Sequence, residues 1–139
     1  MGNEVSFRDE ADTEASGSKL KTIGLCIAGW IVGYLISLTS SVLFFLVGRI
    51  PPDKPASAMV MFVTAIYGIV FAVIAAVVGA SFSRRHALGI GAAIAATIAV
   101  AGFWADSITP NAEHWSEVIA IFLMAPAAQL GSLFRRLPY

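Results

Sequence analysis

Charge is scarce in this sequence. Only 13% of its 139 residues are Asp, Glu, Lys or Arg, about half the roughly 25% usual in soluble domains. Residues 22–47, 58–80, 87–104 and 115–134 hold a single charged side chain among them, Glu117. A charge at mid-bilayer costs on the order of 2.5–3.5 kcal/mol, so a membrane sorts charges out of such runs. Four runs of this kind leave no polar faces to meet water, which excludes an ordinary soluble domain. The formal net charge is zero, and no global field points to nucleic acid as a partner. The one cysteine, Cys26, excludes an internal disulfide and any CxxC site. It reads as a small apolar side chain. HExxH, a glycine-rich phosphate loop and a scaffolded Ser/His/Asp set are all missing, so neither an enzyme nor a cofactor is expected. Period-two alternation is missing too, which removes a membrane barrel.

What is present is apolar bulk, 58% of the chain. The expected fold class is all-α: an integral membrane antiparallel four-helix bundle with a disordered N-terminal tail. Helices satisfy their own backbone groups in lipid. The first span, 22–47, would reach ~39 Å at 1.5 Å per residue, more than the ~30 Å hydrocarbon core, so tilt or overhang follows. Pro51, Pro52 and Pro55 break the helix after it, and Ser57 is placed to cap the second span. A polar turn, Ser81 to His86, precedes the third span, and Pro126 interrupts the fourth. Residues 1–21 hold Glu4, Asp9, Glu10, Asp12 and Glu14 with few large apolar residues. Such a segment buries too little to offset its ordering entropy, which predicts disorder. Its first residues match a myristoylation pattern that a four-span chain does not need. The domain division is therefore a tail over 1–21 and a transmembrane domain over 22–136.

Basic residues set the orientation. Arg8, Lys19, Lys21, Arg84, Arg85, Arg135 and Arg136 fall on one side, and Arg49 and Lys54 on the other. Cytoplasmic loops collect Lys and Arg. Both termini are expected in the cytoplasm, with the chain in a cell inner membrane and the lipid bilayer its first partner.

Small residues recur every four positions: Gly29, Gly33, Ser37 and Ser41 in the first span, and Gly68 and Ala72 in the second. One helix face carries each stripe, where it lets backbones approach closely. Packing within the chain is the simpler use; a homo-oligomer seam, or a contact with a membrane-protein partner, is the other. Polar groups inside the spans are few. Ser and Thr, including Thr97, can bond to their own helix carbonyls. Gln129 cannot, and should face another helix or water.

The outer end of the last two helices gathers Asp106, Glu113, His114 and Glu117. Glu113 and Glu117 are four apart and His114 and Glu117 three apart, so one helix would make them neighbours. Carboxylates and an imidazole at that spacing are weak candidates for a divalent metal or a proton path. A helix starting near Thr109, Pro110 or Asn111 would give the acids a plainer use, complementing its dipole. Trp104 and Trp115 would then be interface anchors.

The tail, the four spans, the acidic element with His114-Trp115-Ser116, and the run Met124-Ala125-Pro126-Ala127-Ala128 with Gly131 resemble small uncharacterised four-helix bacterial inner-membrane proteins. That resemblance implies location and fold rather than an activity. Small multidrug transporters match in size only, because their first span carries a glutamate and residues 22–47 hold no acid. Two functions compete. One is a non-catalytic accessory, scaffold or homo-oligomeric subunit acting by packing. The other is a small transporter or channel for protons, cations or a small solute, using Glu117, Gln129, Thr97 and the other hydroxyls. A transporter should hold those polar groups on one shared, water-reached surface; a packing protein should bury them singly.

Overall fold

The computed structural model describes residues 2–52, 54–110 and 112–135, with side chains from Thr13 onward. Arg136 of the charge count and Asn111 of the expected helix start lie outside these residues. All regular structure among the described residues is helical. Helix α1 covers Gly2–Gly48, α2 Ala58–Ser81 and α3 Ala87–Ile108, the last preceded by a 3-10 turn at Arg84–His86. Helix α4, Trp115–Ile119, passes through a π-helical turn, Ala120–Met124, into α5, Ala125–Phe134. Four stretches are long and apolar enough to cross a membrane: Thr13–Gly48, Ala58–Ser81, Arg84–Ile108 and Trp115–Phe134.

The expected tail differs. Residues 2–21 continue α1 as helix rather than forming a disordered segment. Extending an existing helix needs no new nucleus, and Glu14, Ala15, Lys19, Leu20 and Lys21 are good helix formers. The hydroxyl of Thr22 donates to the Ser18 carbonyl at 3.0 Å across the junction. Every residue from 13 to 21 is nonetheless exposed, so the poverty of buried surface expected there holds. The third helix also runs to Ile108, beyond the expected 104. The Thr109 hydroxyl bonds back to the Ala105 carbonyl at 2.8 Å, one of the groups a helix end leaves unpaired, and the Ser107 hydroxyl bonds to the Phe103 carbonyl within the helix at 2.8 Å.

Local chemistry marks the other boundaries. Helix α1 closes in a Schellman turn: the Ile50 N–H reaches the Phe45 carbonyl at 3.1 Å, and the Arg49 N–H the Leu46 carbonyl at 3.3 Å. The left-handed position in that motif usually takes glycine; here Arg49 holds it with φ 50°. Ser57 caps α2 as expected, accepting from the Val60 N–H at 3.3 Å. Pro126 has no N–H for the helix ladder, and the π turn ahead of it absorbs the defect. There the Ala125 N–H reaches back to the Ala120 carbonyl.

Packing is inverted relative to a soluble protein. Ala72, Ala75, Ala76, Ala80 and Ala128 are fully buried, while Leu35, Phe62, Val100, Phe103, Phe122 and Leu130 are exposed. Lipid tails are as apolar as leucine, so nothing drives large apolar side chains inward and close approach does the packing. Gly29 and Gly79 meet backbone to backbone: a Cβ on Gly79 would lie 2.6 Å from the Gly29 carbonyl oxygen. A Cβ on Gly33 would lie 2.9 Å from the Ala75 oxygen, and one on Gly131 2.7 Å from the Val73 oxygen. Gly91 faces Ser132 and Gly68 faces Met124. The first-span stripe is thus occupied by contacts inside this chain.

Candidate functional site

Among the described residues the helices enclose several cavities, and one of about 210 Å³ lies toward the end where α1 meets the 49–57 connection. Tyr34, Ser37, Leu38, Ser41, Phe44 and Phe45 of α1 form one wall, and Thr64, Tyr67 and Gly68 of α2 another. Ile98, Ala101 and Gly102 of α3 and Ser116, Glu117 and Ile119 of α4 complete it, with Ala120 and Met124 of the π turn. The shape follows from small residues set against large ones. Gly68 lets Met124 approach and Gly102 lets Ile121 and Ala120 approach, while Phe44, Tyr67 and Phe71 stack beside the cavity with ring centroids 4.5 and 4.4 Å apart.

Most hydroxyls around the cavity are committed. Ser41 donates to the Ser37 carbonyl at 2.9 Å and Thr64 to the Val60 carbonyl at 2.8 Å. Tyr67 donates across to the Ser40 carbonyl on α1 at 3.2 Å. Ser116 donates to Glu117 Oε2 at 2.8 Å and lies 3.4 Å from the Pro52 carbonyl.

The connection between α1 and α2 is tied over this end. The indole N–H of Trp115 donates to the Lys54 carbonyl at 2.9 Å, and its ring meets Phe45 edge-on at 6.2 Å. Trp115 is only 8% exposed, so it is a core residue rather than the interface anchor expected of it. Trp104, by contrast, is 65% exposed.

The acidic group around Trp115 divides. The fourth span begins as helix only at Trp115, so Glu113 lies before it, exposed, and shares no helix face with Glu117. Asp106 Oδ1 and His114 Nδ1 pair at 2.8 Å, bridging the end of α3 and the start of α4. Glu117 turns to Ser116 and the cavity. Among the described residues no three His, Cys, Asp or Glu side chains stand close enough to share a metal ion.

The remaining candidates lie apart from the cavity. Thr97 donates to the Ala93 carbonyl at 2.7 Å and accepts the Trp30 indole N–H at 2.9 Å, linking α3 to α1. Gln129 Oε1 is buried with no hydrogen-bond partner among the described residues. Ser37 and Ser41 serve packing and cavity at once, with Ser37 2% exposed. Sequence reasoning passed over the aromatic wall. Its signal was there: 34, 37, 38, 41, 44 and 45 follow the i, i+3, i+4, i+7 spacing of one helix face, but Phe44 and Phe45 in an apolar run look like any lipid-facing pair. Compared with known proteins, the chain matches no protein-family model, no curated protein and no solved structure.

Proposed function

We propose that this chain is a non-catalytic, four-span integral membrane protein that handles a small solute, the transporter reading of the two raised by its sequence. One observation carries it: Ser37, Ser41, Thr64, Tyr67, Ser116 and Glu117, drawn from α1, α2 and α4, share one cavity. A transporter is expected to hold its polar groups on one shared, water-reached surface; these six share a cavity, while Thr97 and Gln129 lie outside it. An antiparallel bundle is supported by the order of contacts, since Gly29 faces Gly79, Gly33 faces Ala75, and Tyr67 reaches Ser40. A cytoplasmic placement of both chain ends rests on the seven-to-two bias of basic residues; the bond from Arg135 Nε to Ser81 Oγ at 3.0 Å fits it in one respect, joining the end of the fourth helix to the basic turn after α2. The resemblance to bacterial inner-membrane proteins supports that membrane as the location.

The packing reading, an accessory, scaffold or homo-oligomeric subunit, is favoured by a different observation. Thr97 and Gln129 are held singly, away from the cavity. Flux separates the two. Proteoliposomes holding the chain should pass a small cation or solute, and Glu117→Gln should remove that flux without lowering expression. Liposomes equally tight with and without the protein would leave the packing reading.

Topology has its own check. Reporter fusions after Lys54, Arg85, Asn111 and Tyr139 should alternate outside, inside, outside, inside. An externally active reporter at Tyr139 would remove the four-span arrangement.

A further inference from the structure

The cavity's lining restricts what can occupy it. Among the described residues its wall includes one acid, Glu117, and no Lys, Arg or His. Four of its six hydroxyls, those of Ser41, Thr64, Tyr67 and Ser116, already donate to protein acceptors; Tyr34 and Ser37 are the others. A hydroxyl that has given away its proton still presents lone pairs. The rest of the wall is aromatic and aliphatic. An anion entering here would meet a carboxylate and few free donors, and a sugar or peptide would leave many of its own groups unpaired, at about 1–3 kcal/mol each.

Acceptor lone pairs, ring faces and a carboxylate suit the opposite chemistry. A positive charge is attracted to an aromatic face by the ring quadrupole, by ~2 kcal/mol or more when desolvated. Tyr34, Phe44, Phe45 and Tyr67 bring rings to the wall; Tyr67 is already stacked against Phe44 and Phe71, so Tyr34, Phe44 and Phe45 are the rings with a surface left for a cation. Glu117 stands at the end nearest the 49–57 connection, through the contact of its neighbour Ser116 with Pro52. A volume of about 210 Å³ holds more than a bare metal ion needs, and no second or third ligand set for a metal accompanies the acid among the described residues.

We propose that the solute is an organic cation with an apolar body, an ammonium carried on an aromatic or alkyl group. Its charge pairs with Glu117, and its body lies along the Phe44–Tyr67 side of the cavity. This rests on the solute-handling reading above and adds the class of ligand.

The test follows the methyl signals of Ala101, Ala120 and Met124, which line the cavity, by NMR on the full chain in detergent. Three probes are titrated: benzyltrimethylammonium, its uncharged isostere neopentylbenzene, and benzenesulfonate. The expected result is saturable shifts with the cation, at least tenfold weaker binding of the neutral isostere, and none of the anion. Glu117→Gln should bring the cation down to the level of the isostere, and Glu117→Asp should keep most of the preference. Ala101→Leu fills the cavity while leaving Glu117 in place, and should abolish binding of both. That variant keeps the proposal open to refutation if the Gln form does not fold. Equal binding of cation and isostere, unchanged by Glu117→Gln, would overturn the cation assignment while leaving a solute cavity. No saturable shift with any probe would overturn the cation assignment and the solute cavity together.

Discussion

Gly29→Ala should destabilise the fold by about 1–3 kcal/mol, the usual cost of overpacking, while Gly24→Ala five residues earlier should be neutral or gain up to about 1 kcal/mol. The two glycines belong to the same helix and the same apolar run. They differ in what an added methyl would meet. At Gly29 it runs into the backbone carbonyl of Gly79, and at Gly24 nothing lies within 4 Å. A carbonyl in a helix cannot rotate aside as a side chain can, so relief requires α1 and α2 to separate. Separation also loses the contacts of Gly33 with Ala75 and Ile94. The pair Gly89 and Gly91 repeats the comparison on α3: Gly89 has open space, and Gly91 faces Ser132. Thermal unfolding in detergent, read by circular dichroism, checks the ranking. Equal effects at Gly24 and Gly29 would contradict the close approach. A dimer lost on Gly29→Ala, with the monomer fold intact, would instead return the stripe to an oligomer seam.

Trp115→Ala should cost about 3–5 kcal/mol, the range for removing a large buried aromatic. The indole fills the space under the 49–57 connection, against Phe45 and among Ile119 and the partly buried Ile50 and Ala56. Its N–H holds the Lys54 carbonyl. Removing it leaves a void beside the cavity and frees the connection at once. Trp115→Phe separates these contributions. It keeps most of the packing and loses the hydrogen bond, a net loss of about 1 kcal/mol, because Lys54 is exposed and water can replace the donor. Hydrogen exchange at residues 50–57 should rise strongly in the Ala variant and modestly in the Phe variant. Unchanged exchange in both would mean the connection is held by Ile50 and Ala56 without the tryptophan.

Much of the architecture was legible in the sequence because the signals were local. Three prolines after Gly48, Ser57 ahead of an apolar run, and the polar turn 81–86 fall where the helices break. Each acts through its own backbone, without help from the rest of the chain. The helix over residues 2–21 was missed because the argument from missing buried surface ignores a neighbouring span that has already nucleated the helix. The acidic cluster was over-read for a related reason. Spacing makes Glu113 and Glu117 neighbours only if one helix holds both, and the helix starts at Trp115. The pairing that forms, Asp106 with His114, joins residues eight apart across a turn and no periodicity reports it.

The sequence by itself determined which segments can cross a membrane, because hydropathy is a property of a run and not of its neighbours. It also marked the break after α1 and the start of α2, through proline and capping chemistry. Only the tertiary structure decided which face of each helix turns inward. Rotation about a helix axis is set by packing against other helices, and where apolar residues cover every face the sequence leaves that angle open. That angle turned Gly29 and Gly33 onto α2 and α3. It gathered Ser37, Ser41, Thr64, Tyr67 and Glu117 around one cavity, and left Thr97 and Gln129 outside it.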